Sequence, residues 1–455
     1  MHTDERGLPV TAANPDSVSR MDDTIRSFLE YRADTPDKLG RMLEADPDFV
    51  MGQCLKGYLM MMFGTVKTHD DVRASLEIAA RHADKTTPRE QAHVAALAAY
   101  LKGDTRHACL IWDDILAEHP RDIVALRLNH FKTFWMGRSA GLRDGIARVI
   151  DDWDDGVPGY GFVQGMYAFG LEEAGEYEAA EAWGKRAFEA NRDDMWAIHA
   201  VAHVLEMQGR LDDGIEWLSR PADAWDDRNA MKGHLWWHLA MYYVEKGAYD
   251  QVLALYDTAF RPEGSDFYLD IQNAASMLYR LEFQGVDIGE RWKELADVCE
   301  TRVEDHTLAF TDLHVMLALA RDGRDKAAGQ LLESLRAYGN RADNYAATTM
   351  NPVTIPLCEA IVAYNGQDFK GAFERLLPLR HDLACVGGSH AQRDVFAQLL
   401  IAAATRAGQD NQAKALLAER VRNHPNSHGS WSLYADTLEK LGEADRAAAA
   451  RANLH

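Results

Sequence analysis

The chain is poor in basic side chains, proline and cysteine, and each shortage removes a class of protein. Lysine and arginine number 49 against 71 aspartates and glutamates, a formal net charge of −22 over 455 residues. No Lys/Arg-rich run interrupts that surplus, so neither nucleic acid nor an anionic membrane is an expected partner. The five cysteines, Cys54, Cys109, Cys299, Cys358 and Cys385, are widely spaced and form no CxxC. That excludes a disulfide framework and predicts buried thiols in a reducing, cytoplasmic setting. No stretch of eighteen apolar residues occurs, and the polar opening MHTDERGLPV does not have the form of a signal peptide. Alternating β-branched runs are missing too. With only 13 prolines and abundant Ala and Leu, the chain reads as helical throughout.

What is present is a recurring glycine. Turns are expected at Gly64, Gly103, Gly137, Gly175, Gly209, Gly247, Gly285, Gly323, Gly366, Gly408 and Gly442, at intervals of 34 to 43 residues. A glycine between two amphipathic stretches at this period marks paired-helix repeats, because the chain reverses there with a positive φ. The unit from Gly159 to Asp194, with Gly175, Tyr177, Ala180 and Ala187, has tetratricopeptide spacing. The expectation is an all-α, tetratricopeptide-type superhelix of about eleven helix pairs, curled around a central cavity. Residues 1–20 would form an N-terminal arm and 21–455 a single solenoid. The segment from Tyr338 to Pro356 breaks the period and reads as a loop.

The chemistry is concentrated in histidines. His199 with His203, and His234 with His238, are two i,i+4 pairs, so each pair presents both rings on one helix face. Measured from the turn glycines, both pairs fall on the first helices of successive repeats. His238 and His314 each lie nine residues before their turn glycine, as does Ser276 between them. Glu206 shares the stripe of His199 and His203; Asp312 precedes His314 by two; Asp270, Asn273 and Arg280 populate the intervening helix. Imidazoles with a carboxylate suit a divalent transition metal such as zinc or iron, with His199, His203, Glu206, His234 and His238 as candidate ligands. The residues between His199 and His203 are Ala200, Val201 and Ala202, so the glutamate base of HExxH is missing. The same histidines, with His314 and Asp312, are candidate acid–base catalysts. The bland alternative is a hydrogen-bonded core network. Trp237 is a candidate wall for a planar ligand, although packing explains most tryptophans in such helices.

A second motif, CVGGSHAQRDVF from Cys385 to Phe396, has a capping box at Ser389–Gln392, so a helix starts there. Ser389, His390, Arg393 and Asp394 are candidate substrate-binding residues for an anionic group; an ordinary capped helix with Arg393 paired to Asp394 is the alternative.

The strings ADPDFVMGQCLKGYL, HAVAHVLEMQGRLDDGI, HLWWHLAMYYVEKGAYDQVLALYD, FTDLHVMLALARDGR and GGSHAQRDVF resemble the tetratricopeptide repeat protein 38 family, also called StaR-like, over nearly the full length. That resemblance implies a helical-repeat fold in a cytoplasmic protein and brings no settled activity. It favours a small-molecule site at the His-rich segments. The expected function is a His-rich pocket for a small anionic molecule, with hydrolysis by a water that a metal or an imidazole activates. The competing expectation is a non-catalytic protein-interaction scaffold with a protein partner. Self-association is left open.

Overall fold

The computed structural model describes residues 1–341 and 344–454. Among the described residues, apart from a two-stranded antiparallel pairing of His2–Thr3 with Pro9–Val10, the regular elements are helical, and twelve successive helix pairs run from Pro15–Leu29 with Thr35–Ala45 to His428–Lys440 with Ala444–Arg451. This is a helical-repeat fold of the tetratricopeptide type.

The two helices of a pair differ in burial. All thirteen residues of Ile123–Trp135 are buried, as are twelve of the sixteen in Tyr268–Phe283 and eleven of the thirteen in Ala309–Arg321. The second helix Tyr177–Ala190 buries only Ala180, Gly184 and Ala187, a stripe at helical spacing. On these three first helices most positions are buried, so polar side chains placed there are taken out of water and need partners.

Ten of the eleven turn glycines carry the positive φ that the spacing required. The exception is Gly366, at φ −75°; the left-handed residue is its neighbour Gln367, at φ 67°. The first helix pair has no glycine marker either, because its turn is made by Tyr31 at φ 57°.

Contacts group the chain into two compact units. The first comprises Met1–Val201, Trp225–Met231 and Arg341–Thr348; the second comprises Ala202–Ala224, Lys232–Asn340 and Thr349–His455. Helix Met195–Met207 is continuous through the change at Val201.

One local boundary is sharper than expected, and one local expectation is corrected. The first twenty residues include the start of helix Pro15–Leu29. They are tethered by Arg6 to Asp22, by Thr11 to Glu90 and by the Ala13 amide to Asp46. The segment expected as a loop after Tyr338 contains a helical turn at Ala347–Thr349 and a wide turn at Met350–Thr354, and helix Ile355–Asn365 begins with Pro356 in its first turn. Proline suits that place because its missing N–H has no partner there in any helix. Residues 342 and 343 of that segment lie outside the described residues.

Candidate functional site

In the second unit, helices Met195–Met207 and Met231–Glu245 bring His203, His234 and His238 together. Each offers a ring nitrogen within 4.8 Å of the others. Ring centroids are 4.4 Å apart for His203 and His238 and 4.7 Å for His234 and His238. All three are buried.

Two of the rings are held from behind. His238 Nδ1 shares a hydrogen bond of 2.9 Å with Glu206 Oε2, and His234 Nδ1 shares one of 2.9 Å with Asn273 Oδ1. Nδ1 of both rings is engaged in these bonds. A carboxylate or amide behind an imidazole fixes its orientation and tautomer, as around metal-ligating histidines. Trp237 fixes His234 further: the rings stack at 5.3 Å and 10°. Over the same indole lies the guanidinium of Arg280, at 5.5 Å. Trp237 is thus fully buried between an imidazole and an arginine.

Burial depresses the basicity of all three imidazoles. His234 and His238 are pushed down to about 3, and His203 well below its ordinary value, first by desolvation and then by neighbouring positive groups. Among the groups acting on His203 is His390. Neutral imidazole is the ligating form, so three such rings, two of them braced through Nδ1, fit a divalent transition metal. Glu206 lies behind His238. Burial raises its carboxyl to about 8, with Arg280 opposing.

His199 belongs to the first unit and stands one turn before His203 on the continuous helix, so the two share a face. Its ring lies against Phe169 at 5.2 Å and Trp196 at 4.9 Å.

Other expected residues have different work. His314 Nδ1 lies 2.7 Å from the Phe310 carbonyl, and its ring packs on Phe310 and Phe396. Asp312 faces away to His306, with Nδ1 to Oδ1 at 2.9 Å, and His306 also reaches Ser334 Oγ at 2.7 Å. His306, in the loop before its helix, has no spacing signal in the sequence. Ser389 caps its helix: its hydroxyl accepts from the Gln392 amide at 3.2 Å while Gln392 Oε1 accepts from the Ser389 amide at 3.0 Å. Arg393 donates to the Gly388 carbonyl. The partner of Asp394 is Arg420 rather than Arg393, with Nη2 to Oδ2 at 3.1 Å, and Gln398 donates to the same carboxylate at 2.7 Å. Arg280 joins this segment to the histidine helices: fully buried, it donates to the Ser276 carbonyl at 3.1 Å and the Ala391 carbonyl at 2.7 Å.

No family model matches the chain. Several solved helical-repeat structures are distantly similar. The human IFIT1 dimer with PPP-AAAA shares 13% identity, covering 97% of this chain and 94% of that chain at a TM-score of 0.41. The structure of Naa15/Naa10 bound to HypK-THB shares 13%, covering 96% and 68% at 0.26. The P58(IPK) TPR domain shares 12%, covering 81% and 92% at 0.23. No activity follows from likenesses this distant.

Proposed function

We propose that His203, His234 and His238 hold a divalent transition metal, zinc or iron, and that this centre serves hydrolysis of a small anionic molecule. The observation that carries the reading is three buried imidazoles with mutually close nitrogens, two of them braced through Nδ1 by Glu206 and Asn273. A metal bound there would supply Lewis acidity to polarise a substrate oxygen. Glu206 and Asn273 orient their imidazoles, and Trp237 with Arg280 keeps the His234 ring in place. Arg393 and His390 are the proposed contacts for the substrate's negative charge, from their place in the first turn of helix His390–Arg406. We also propose membership of the tetratricopeptide repeat protein 38 family, on the His-rich strings from His199, His234 and Gly387, and with it a cytoplasmic location.

The test is elemental analysis of protein purified without an affinity tag of histidines. One equivalent of zinc or iron in the natural chain, lost on His203→Ala and on His238→Ala, is expected. Substoichiometric metal in all three would sink the centre. Paired-helix arrays commonly present surfaces to other proteins. If the metal is absent and a protein partner is recovered whose binding survives both substitutions, the scaffold reading replaces the hydrolytic one.

A further inference from the structure

We infer a second ligand site, in the first unit, that takes a small carboxylic acid with an apolar body. Helices Thr105–Glu118, Ile123–Trp135 and Ser139–Ala147 line a cavity of about 260 Å³, large enough for a small ligand rather than a single water. Its apolar wall includes Cys109, Leu126, Leu142 and Ile146, all buried. His130 lines it as well, 4% exposed. Neither nitrogen of its ring has a hydrogen-bond partner in the protein. The ring is otherwise enclosed by aromatic edges, with Phe169 at 6.0 Å and Trp196 at 5.9 Å. A buried imidazole left in that state is unfavourable, because both ring nitrogens have given up water without a replacement, so its placement on a cavity wall points to a ligand that meets it.

Charge at the cavity indicates the ligand's class. Two lining carboxylates are already committed: Asp113 to Arg148 at 2.6 Å and Asn129 at 2.8 Å, and Asp144 to Arg143 at 2.8 Å. Arg106 and Arg138 also line the cavity and have no carboxylate partner among the described residues; Arg106 lies only over the Tyr345 ring, at 6.0 Å. In a chain with so large an acidic surplus, two arginines without counter-charge beside an apolar recess favour a carboxylate head. The apolar body fills the recess, and a polar atom of the ligand or a water carried with it meets His130.

Benzoate is the probe, with benzamide as its neutral counterpart, titrated calorimetrically into the full chain. One benzoate site is expected, with benzamide bound at least tenfold more weakly. Arg138→Gln should weaken benzoate about tenfold, a loss of about 1.4 kcal/mol. Leu142→Trp, which fills the recess, should abolish it, and His203→Ala in the proposed metal centre should leave it unchanged. If Leu142→Trp does not fold, Arg106→Gln replaces it, with an expected loss like that of Arg138→Gln. Absence of benzoate binding, equal binding of benzamide, or binding untouched by the arginine and cavity-filling substitutions overturns the site and leaves a cavity that holds water.

Discussion

His314 shows how a sequence-level histidine signal divides once partners are visible. It shares its place in the repeat with His238, nine residues before a turn glycine, yet its Nδ1 meets a backbone carbonyl one turn back. Desolvation pushes it down to about 3, with the Phe310 carbonyl opposing and Arg280 assisting, from 6.5. Between those values the unfolded chain binds a proton that the folded chain refuses. Stability conferred at neutral pH is therefore lost as pH falls from 6.5 toward 3, by about 1.4 kcal/mol per unit. His314→Phe keeps a ring between Phe310 and Phe396 and removes the titration. Urea unfolding followed from pH 7 to pH 4 should show a shallower loss of stability in this variant; an unchanged slope means that His314 is not the titrating group. The paired histidines were legible because i,i+4 spacing fixes a shared face whatever surrounds it. Asp312 with His306, and Asp394 with Arg420, were not legible. Those partners are set by packing between segments, and no local spacing encodes them. His130 likewise has no histidine one turn away, and the cavity beside it is formed by three helices without a motif.

At the scale of the helix pair, glycine does two separable jobs. Gly175 turns the chain at φ 83°, and a Cβ there would meet nothing within 4 Å. Gly170 is helical, but a Cβ would stand 2.6 Å from the Arg143 amide nitrogen and 2.7 Å from the Leu142 carbonyl carbon, both backbone atoms of the neighbouring repeat. Gly175→Ala should cost about 1–2 kcal/mol, the strain of a left-handed alanine. Gly170→Ala gains about 1 kcal/mol of helix propensity but forces two backbones apart, and should be the more damaging, at roughly 2–3 kcal/mol net. Thermal unfolding ranks the pair; a neutral Gly170→Ala would refute the close approach. The same ruler missed Gln367, because a turn at Gly366 or one residue later leaves the period almost unchanged. Gln367→Gly should raise stability by about 0.5–1 kcal/mol by relieving a left-handed side chain, and a drop in melting temperature would contradict that turn geometry. Regular repeats are readable from sequence since each turn needs φ above zero at one position. A shift by one residue falls below what spacing resolves.

For the molecule as a whole, charge decides more than architecture. Among the described residues no helix is long and apolar enough to cross a membrane, and a repeat array is compatible with many partners. The surplus of 71 acidic over 49 basic side chains is less permissive. Many surface arginines are already engaged by carboxylates, among them Arg321 with Glu282, Arg291 with Asp257, Arg324 with Asp297, Asp322 and Glu300, and Arg143 with Asp144 and Glu176. Arg280, Arg393 and Arg420, near the candidate site, are buried against carbonyls and Asp394. A polyphosphate strand would have to displace these partners and approach a surface of its own sign, without the counterion release that drives nucleic-acid binding. Fluorescence anisotropy with a short 5′-triphosphorylated oligoadenylate at physiological salt should therefore detect no binding tighter than about 100 µM, the weak end of non-specific affinity. Lowering the salt should not rescue it, because repulsion between like charges grows as screening falls. Salt-sensitive binding that strengthens at low ionic strength would instead reveal a basic surface that the charge distribution does not provide.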